Sequence, residues 1–291
     1  MYYASSNTGQ SYTHLANGRA FYRHRIIPGM LVDTNKRDTA TTIFGLKVSA
    51  PIGFAPIGIN KIYHPLGELP VAKVAKQLNL PYCLSTAGST PIEAVGEANG
   101  AGPRFFQFGF TACMLTLDTW QLAWRHHDAA ESNFAFYHGT GADLGLSDSV
   151  FQKRLNEVGI DPKKQPNEAG AMWIDDVWHR RAWSWEKMPW LIEQWREISR
   201  GKPFYLKVIQ SGRCEEQVDG AIAGLDALEK IVAGCLWVWG LSIKSELGIR
   251  HVMKSLLADF DILMNVAGFQ SVDQITRDSI ESLPNSAGMN S

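Results

Sequence analysis

The side chains of this chain that are best equipped for chemistry sit at or near the ends of its short apolar runs. Ser85 lies near the end of Pro81–Thr86, Gln107 follows Phe106, Thr116 lies in Cys113–Thr119, and Lys207 lies in Phe204–Ile209. They supply hydroxyl and amide hydrogen-bonding groups and one cation. Taken singly, Ser85 and Thr116 read as ordinary strand-end residues and Lys207 as a salt-bridge partner. Arg125 carries a planar fork whose geometry suits a carboxylate. His126 and His127 follow it, and His64 follows the first strand, so these are the alternatives for a general base. The stretch Ser211–Gly220 (SGRCEEQVDG) concentrates polar residues around Arg213. A guanidinium does not deprotonate, so Arg213 itself is a poor base.

The elements that would hold these groups alternate between apolar runs and helical stretches, the βαβα rhythm of a parallel sheet. The strand candidates are Pro51–Gly58, Pro81–Thr86, Arg104–Phe108, Cys113–Thr119 and Phe204–Ile209, apolar on both faces as a covered parallel sheet requires. The spacing predicts helices over Gly67–Leu78, Ile222–Val232 and Ser245–Met264. The last carries the stripe Ile249, Val252, Met253, Leu256, Leu257, Phe260 and Leu263, closed by Gly268. Leu236–Trp239 is a candidate sixth strand, and Ser271 with Gln274 is a weak capping box for a last helix.

Thr41–Phe44 and Leu46–Val48 around Gly45 read as a hairpin in an N-terminal segment spanning 1–50. Between 120 and 203 runs a stretch without clear strands that holds eight of the ten tryptophans. It reads both as core packing under an amphipathic helix from Ser184 to Ile198 and as a lid over a site. The expected organisation is one domain over 1–281 with a disordered tail over 282–291.

Bulk properties narrow the function classes. The chain has 291 residues, 45% of them hydrophobic and 20% charged, with a net charge of −1, which suits one soluble α/β barrel and argues against a nucleic-acid partner. Cys83, Cys113, Cys214 and Cys235 form no C-x-x-C pair, so neither a disulfide framework nor a metal site is expected. The N-terminus lacks a signal-peptide core, no apolar run approaches a membrane span, and AGMNS is no peroxisomal tripeptide. A cytoplasmic protein without a membrane partner is the expectation.

Ordered motifs along nearly the whole chain resemble the FMN-dependent α-hydroxy acid dehydrogenases and oxidases. Tyr2-Tyr3-Ala4-Ser5 resembles Y-Y-x-S-G, and Ile27–Leu31 resembles P-R-M-L with its arginine lost. Ala55-Pro56-Ile57-Gly58 with His64-Pro65-x-Gly67-Glu68 resembles A-P-x-G…H-P-x-G-E. Leu84–Thr86, Phe106-Gln107, Leu115–Thr119 and Leu206-Lys207 follow in family order. Leu115–Trp120 with Trp124-Arg125 and the tryptophan-rich insertion look most like the lactate 2-monooxygenase branch.

The resemblance implies a TIM-barrel-like (β/α)8 fold and FMN as cofactor. It also implies oxidation of small 2-hydroxy acids such as lactate or glycolate to 2-oxo acids, and a possible homo-oligomer. Backbone groups of Ala55, Pro56 and Ile57 would meet the flavin ring, Ser85, Gln107 and Thr116 its pyrimidine side, and Lys207 the N1–O2 edge. Tyr2 and Arg125 would bind the substrate carboxylate.

Three departures accompany the resemblance. Aligned on S-N-H-G-G-R-Q-x-D-G, Arg213 stands at the position of the proton-abstracting histidine and Glu216 at that of a substrate-binding arginine. The strand near Cys113 begins only six residues after Gln107, too few for an ordinary parallel crossover. Lys207–Gln210 runs straight into Ser211, and the interval from Val232 to Leu241 lacks the D-x-G-x-R phosphate turn. The expectations are a barrel incomplete at five or six strands, weak or absent FMN binding, and no turnover. The alternative function is a non-catalytic relative: a decayed copy, a mis-spliced product or a partner subunit.

Overall fold

The computed structural model of the chain describes residues 11–43, 45–85, 87–106, 113–116, 143–177, 184–201, 204–207, 231–233 and 235–283. Tyr2, Gln107, Arg125, His126, His127 and Arg213 lie outside the described residues.

The N-terminal part contains α1 (Tyr12–Phe21), β1 (His24–Ile26), β2 (Thr41–Ile43) and β3 (Leu46–Val48). β2 and β3 form the expected antiparallel hairpin, turning at Gly45 with φ 80°, a conformation that suits glycine. The sheet strands begin with β4 (Ile52–Phe54), β5 (Tyr82–Leu84) and β6 (Arg104–Phe106). They continue with β7 (Cys113–Thr116), β8 (Phe204–Lys207) and β9 (Ile231–Ala233). All six pair in parallel in the order β8-β7-β6-β5-β4-β9.

The register climbs at two places. The last residue of β4, Phe54, faces the first of β5, Tyr82, and the last of β6, Phe106, faces the first of β7, Cys113. Such stagger is the shear by which a parallel sheet tilts and curls toward a barrel. It also explains how a short connection joins β6 to β7. The chain need not return to the base of the sheet, because β7 starts at the height where β6 stops.

Among the described residues β8 and β9 are the two ends of this sheet. This is the (β/α)8 class, with six parallel strands among the described residues, where five or six were expected. Ile231 and Val232 are strand residues, where the sequence pattern suggested the end of a helix.

One face of the sheet is covered by helices. α2 (Leu69–Leu78) follows β4 and α3 (Ile92–Asn99) follows β5. Pro70 in the first turn suits the start of α2, and Asn79 ends it in a left-handed conformation with its N–H on Ala75 O. α2 places Val71, Val74 and Ala75 against Ile52, Phe54, Tyr82 and Leu84. On the opposite face Cys83 and Phe105 pack against Ile43 and Val48 of the hairpin. Alternation along β5 sends its residues to both cores, which is why the strand is apolar throughout.

The insertion contains α4 (Asp143–Ser147), α5 (Ser149–Glu157), α6 (Pro166–Val177) and α7 (Met188–Ser199). α7 is the amphipathic helix expected near Ser184–Ile198, with Met188 and Trp195 buried and Trp190 exposed; a 3₁₀ turn carrying exposed Trp185 precedes it. α8 (Cys235–Ala267) follows β9 and is broken at Lys244 and Ser245, where Ser245 has φ 49°. Leu236–Trp239 therefore opens a helix; it is not a sixth strand. Trp237 and Leu241, one helical turn apart, are both buried, so the 3.6-residue period wins over a short apolar run that cannot define its own period. The second half buries Ile249 and Met253, as the stripe predicts, while Leu263 is exposed.

Gly268, with φ 84°, closes α8. Ser271 and Gln274 form the expected capping box, over a single 3₁₀ turn. β10 (Ile280–Ser282) then pairs antiparallel with β1. Just past β10, Leu283 N–H donates to Arg23 O at 2.8 Å.

Candidate functional site

Ala55–Ile57, Ser85, Thr116 and Lys207 fall at the C-terminal ends of β4, β5, β7 and β8, the end where parallel α/β folds carry their sites. Ala55, Pro56 and Ile57 are half-buried, and Ser85 is buried. Thr116 and Lys207 are the last registered pair of β7 and β8, directly opposite one another. Gln107 is the residue that follows β6, between these two groups in strand order, and its own structure lies outside the described residues.

The loops after β4 and β5 run side by side. Ile59 N donates to Ala87 O at 2.7 Å, and Ala87 N donates to Ser85 Oγ at 3.2 Å. Gly58 allows this approach, since a β-carbon there would lie 3.0 Å from the Ala87 β-carbon.

Behind the two loops lies Glu68, fully buried at the start of α2. Its Oε1 accepts from Asn60 N at 3.2 Å, Ser89 N at 2.8 Å and Ser89 Oγ at 3.1 Å. Its Oε2 accepts from Ser89 Oγ at 2.9 Å and Thr90 Oγ1 at 2.6 Å. Burial, with the nearby Glu68 charge and Cys83 adding to it, pushes the Tyr82 phenol well above its usual range. Sequence reasoning registered Glu68 only as a letter of the H-P-x-G-E match. Its bond partners Asn60, Ser89 and Thr90 carried no signal.

The insertion touches this region through α6. Ile174 packs on Ile59 of the loop after β4, with Trp173 and Ile62 beside them. α5 holds α6 in turn: Phe151 meets Trp173 edge-on at 5.2 Å, and Arg154 pairs with Asp176 at 2.6 Å. The insertion thus has an apolar contact with the loop after β4.

Residues 1–112 match the family model of FMN-dependent dehydrogenases. The chain is 30% identical to the FMN-dependent alpha-hydroxy acid dehydrogenase qulF of Penicillium citrinum, with 95% of this chain and 85% of that protein covered. This chain belongs to the FMN-dependent α-hydroxy acid dehydrogenase family. It is also 25% identical to an L-lactate oxidase of Lysinibacillus sphaericus, over 93% of this chain and 85% of the relative. Among solved structures, monotopic membrane (S)-mandelate dehydrogenase superposes with a TM-score of 0.75 at 20% identity, covering 96% of this chain and 94% of that one. The fold is thus of the family's barrel class. The alignment with the Penicillium protein runs over 346 residues against 291 in this whole chain, so the relative contains stretches with no counterpart here.

The family's cofactor is FMN, and the described strand ends offer hydrogen-bonding groups of the kind its ring system takes. Half-buried Ala55–Ile57 and buried Ser85 lie at the ends of β4 and β5, and Thr116 and Lys207 end the paired strands β7 and β8. The phosphate end is poorer. β9 passes into α8 through Gly234 alone, and Ile231–Ile243 contains no lysine, arginine or histidine. The backbone N–H groups that open α8 are what this stretch offers an anion.

No described helix is long and apolar enough to cross a membrane, and the described residues hold no cluster of three or more potential metal ligands.

Proposed function

We propose that this family member keeps the strand-end face for a flavin ring but does not turn over 2-hydroxy acids. The observation that carries the reading is the replacement at Arg213. The position that the family resemblance gives to the proton-accepting histidine holds a guanidinium, which has no lone pair to offer. Loss of general-base help alone costs about 10²–10⁴ in rate. Glu216, which the same resemblance aligns with a substrate-binding arginine, would set a negative charge against a negative substrate.

Ala55–Ile57, Ser85, Gln107, Thr116 and Lys207 would hold the ring, and Tyr2 with Arg125 would hold a carboxylate of lactate or glycolate size. When bound, FMN supplies the capacity to accept a hydride. The chain's own contribution is to orient the ring through β4 and β5 and to place a cation through Lys207. The six-stranded sheet and the stretches that the Penicillium relative has in addition support a site weakened at its phosphate end.

An active lactate- or glycolate-type oxidase is the second reading, favoured by Thr116 and Lys207 standing side by side at the strand ends. The test is oxygen uptake and 2-oxo acid formation by purified protein supplied with FMN and either acid. Absence of product with wild-type protein and with Arg213→Lys agrees with the proposal. Sustained product formation overturns it.

A further inference from the structure

We propose that Glu68 is a positioning residue for the flavin face, an acceptor that fixes the loop after β4 against the loop after β5. The inference rests on the reading that these strand ends carry the ring. Glu68 is fully buried, and each hydrogen-bond partner described for it is a neutral donor. A carboxylate offers acceptors only, and two backbone N–H groups with two hydroxyls match it. Burying such a group without donors would be costly, so the bonds must be kept together or lost together.

The location gives these bonds their consequence. Asn60 N belongs to the loop that follows Ala55–Ile57, whereas Ser89 and Thr90 belong to the loop that follows Ser85. The carboxylate also sits at the starts of α2 and α3, where helix dipoles favour a negative group. Lys61 N donates to Ser89 Oγ at 3.0 Å, so the serine is gripped from both sides. Gly67 is required for the approach: a β-carbon there would lie 2.8 Å from Thr90 Oγ1, and its φ of 54° is one that L side chains rarely adopt.

Without this acceptor, Asn60 and Ser89 lose the partner that sets their separation. The Ala55–Ile57 backbone and Ser85 then no longer share a fixed height. An isosteric amide changes little of this. One oxygen of glutamine can still accept both backbone N–H groups, while its NH₂ donates to the two hydroxyl oxygens. The claim concerns geometry; charge is secondary.

The experiment compares Glu68→Ala and Glu68→Gln in the full chain. Amide hydrogen exchange is read at Asn60–Ile62 and Ser85–Thr90, with Ile249–Phe260 of α8 as the control for global unfolding. FMN fluorescence quenching is titrated in parallel, and wild-type turnover is assayed separately. The expected result for Glu68→Ala is exchange at least tenfold faster in the two loops with α8 unchanged, and loss of the weak FMN quenching expected of wild type. Glu68→Gln should stay within threefold of wild type in both readouts.

Equal loop exchange in Glu68→Ala and wild type overturns the inference. So does a Gln variant that behaves like Ala, or unaltered FMN quenching in Glu68→Ala. Exchange that rises equally in α8 marks a merely structural role and also overturns it. FMN quenching absent from wild type overturns the link to the ring. Turnover by wild type sinks the proposed function alone and leaves the Glu68 comparison intact.

Discussion

Gly248 packs its α-carbon against the carbonyl of Gly240, so that the two halves of α8 touch backbone to backbone just past the break at Lys244-Ser245. A β-carbon on Gly240 would lie 2.6 Å from Gly248 O, and one on Gly248 would come closer still to Gly240 O. This crossing lets Trp237 and Leu241 reach the same core as Ile249 and Met253.

Gly248→Ala and Gly240→Ala are each expected to cost about 1–3 kcal/mol, the usual range for overpacking a filled interior. Gly96 lies within α3 with nothing within 4 Å of its would-be β-carbon, so Gly96→Ala should be stabilising by about 0.5–1 kcal/mol. Denaturant melts of the three variants check the contrast.

Ile174→Ala should loosen the insertion from the strand-end face. Ile174 is buried on Ile59, and truncation of such a residue costs about 2–5 kcal/mol. The expected outcome is faster proteolysis within 143–177 and faster exchange at Ile59–Ile62, with α8 protected as before. Unchanged exchange at Ile59–Ile62 would mean that the contact does not hold the loop.

Asp261 predicts an acid-sensitive link between the N-terminal segment and α8. Arg37 donates Nε and Nη2 to its two carboxylate oxygens at 2.9 and 2.6 Å and holds its carboxyl below the usual value of 3.8. A lowered folded pKa contributes stability that is present above the unfolded pKa and lost as pH falls through the folded one. Melting temperatures of wild type and Asp261→Asn should therefore converge as pH drops from about 5 toward 3. Both residues are part-exposed, so high salt should shrink the difference.

Much of this architecture is legible in the sequence because local rules dominate it. The hairpin around Gly45, the stripe from Ile249 to Met253 and the apolar strands β4 and β5 follow from period and turn chemistry. Leu236–Trp239 was ambiguous because four apolar residues fit a strand and a helix equally, and packing against Phe54 decides between them. The short link between β6 and β7 looked impossible because the sequence does not state register; the Phe106–Cys113 stagger supplies the missing fact. At the site, Ala55–Ile57 and Ser85 were readable from motifs. The Glu68 network was not, because hydrogen bonds from Asn60 and Ser89 to a residue some distance along the chain leave no periodic trace.

Tyr82 predicts an alkaline limit. Its phenol is buried without a described hydrogen-bond partner, and burial raises its pKa well above 10. A raised folded pKa gives stability that is full below the unfolded value and lost as pH rises above it, so wild type should weaken beyond about pH 10. Tyr82→Phe should be neutral or slightly stabilising near neutral pH, because an unpaired buried hydroxyl is removed, and should show a shallower alkaline loss. Thermal melts across that range, with tyrosinate absorbance as a second probe, read both effects.

The central claim is that a flavin-ring face persists here without turnover, and anaerobic flavin spectroscopy tests it most directly. Purified protein is titrated with FMN while its fluorescence is followed, and lactate or glycolate is then added in the absence of oxygen. The expected result is weak quenching and no bleaching of the oxidised flavin spectrum, because the family resemblance aligns Arg213 and Glu216 with the positions of the proton-accepting histidine and the carboxylate-binding arginine. Tight FMN binding followed by bleaching on addition of either acid would contradict the account.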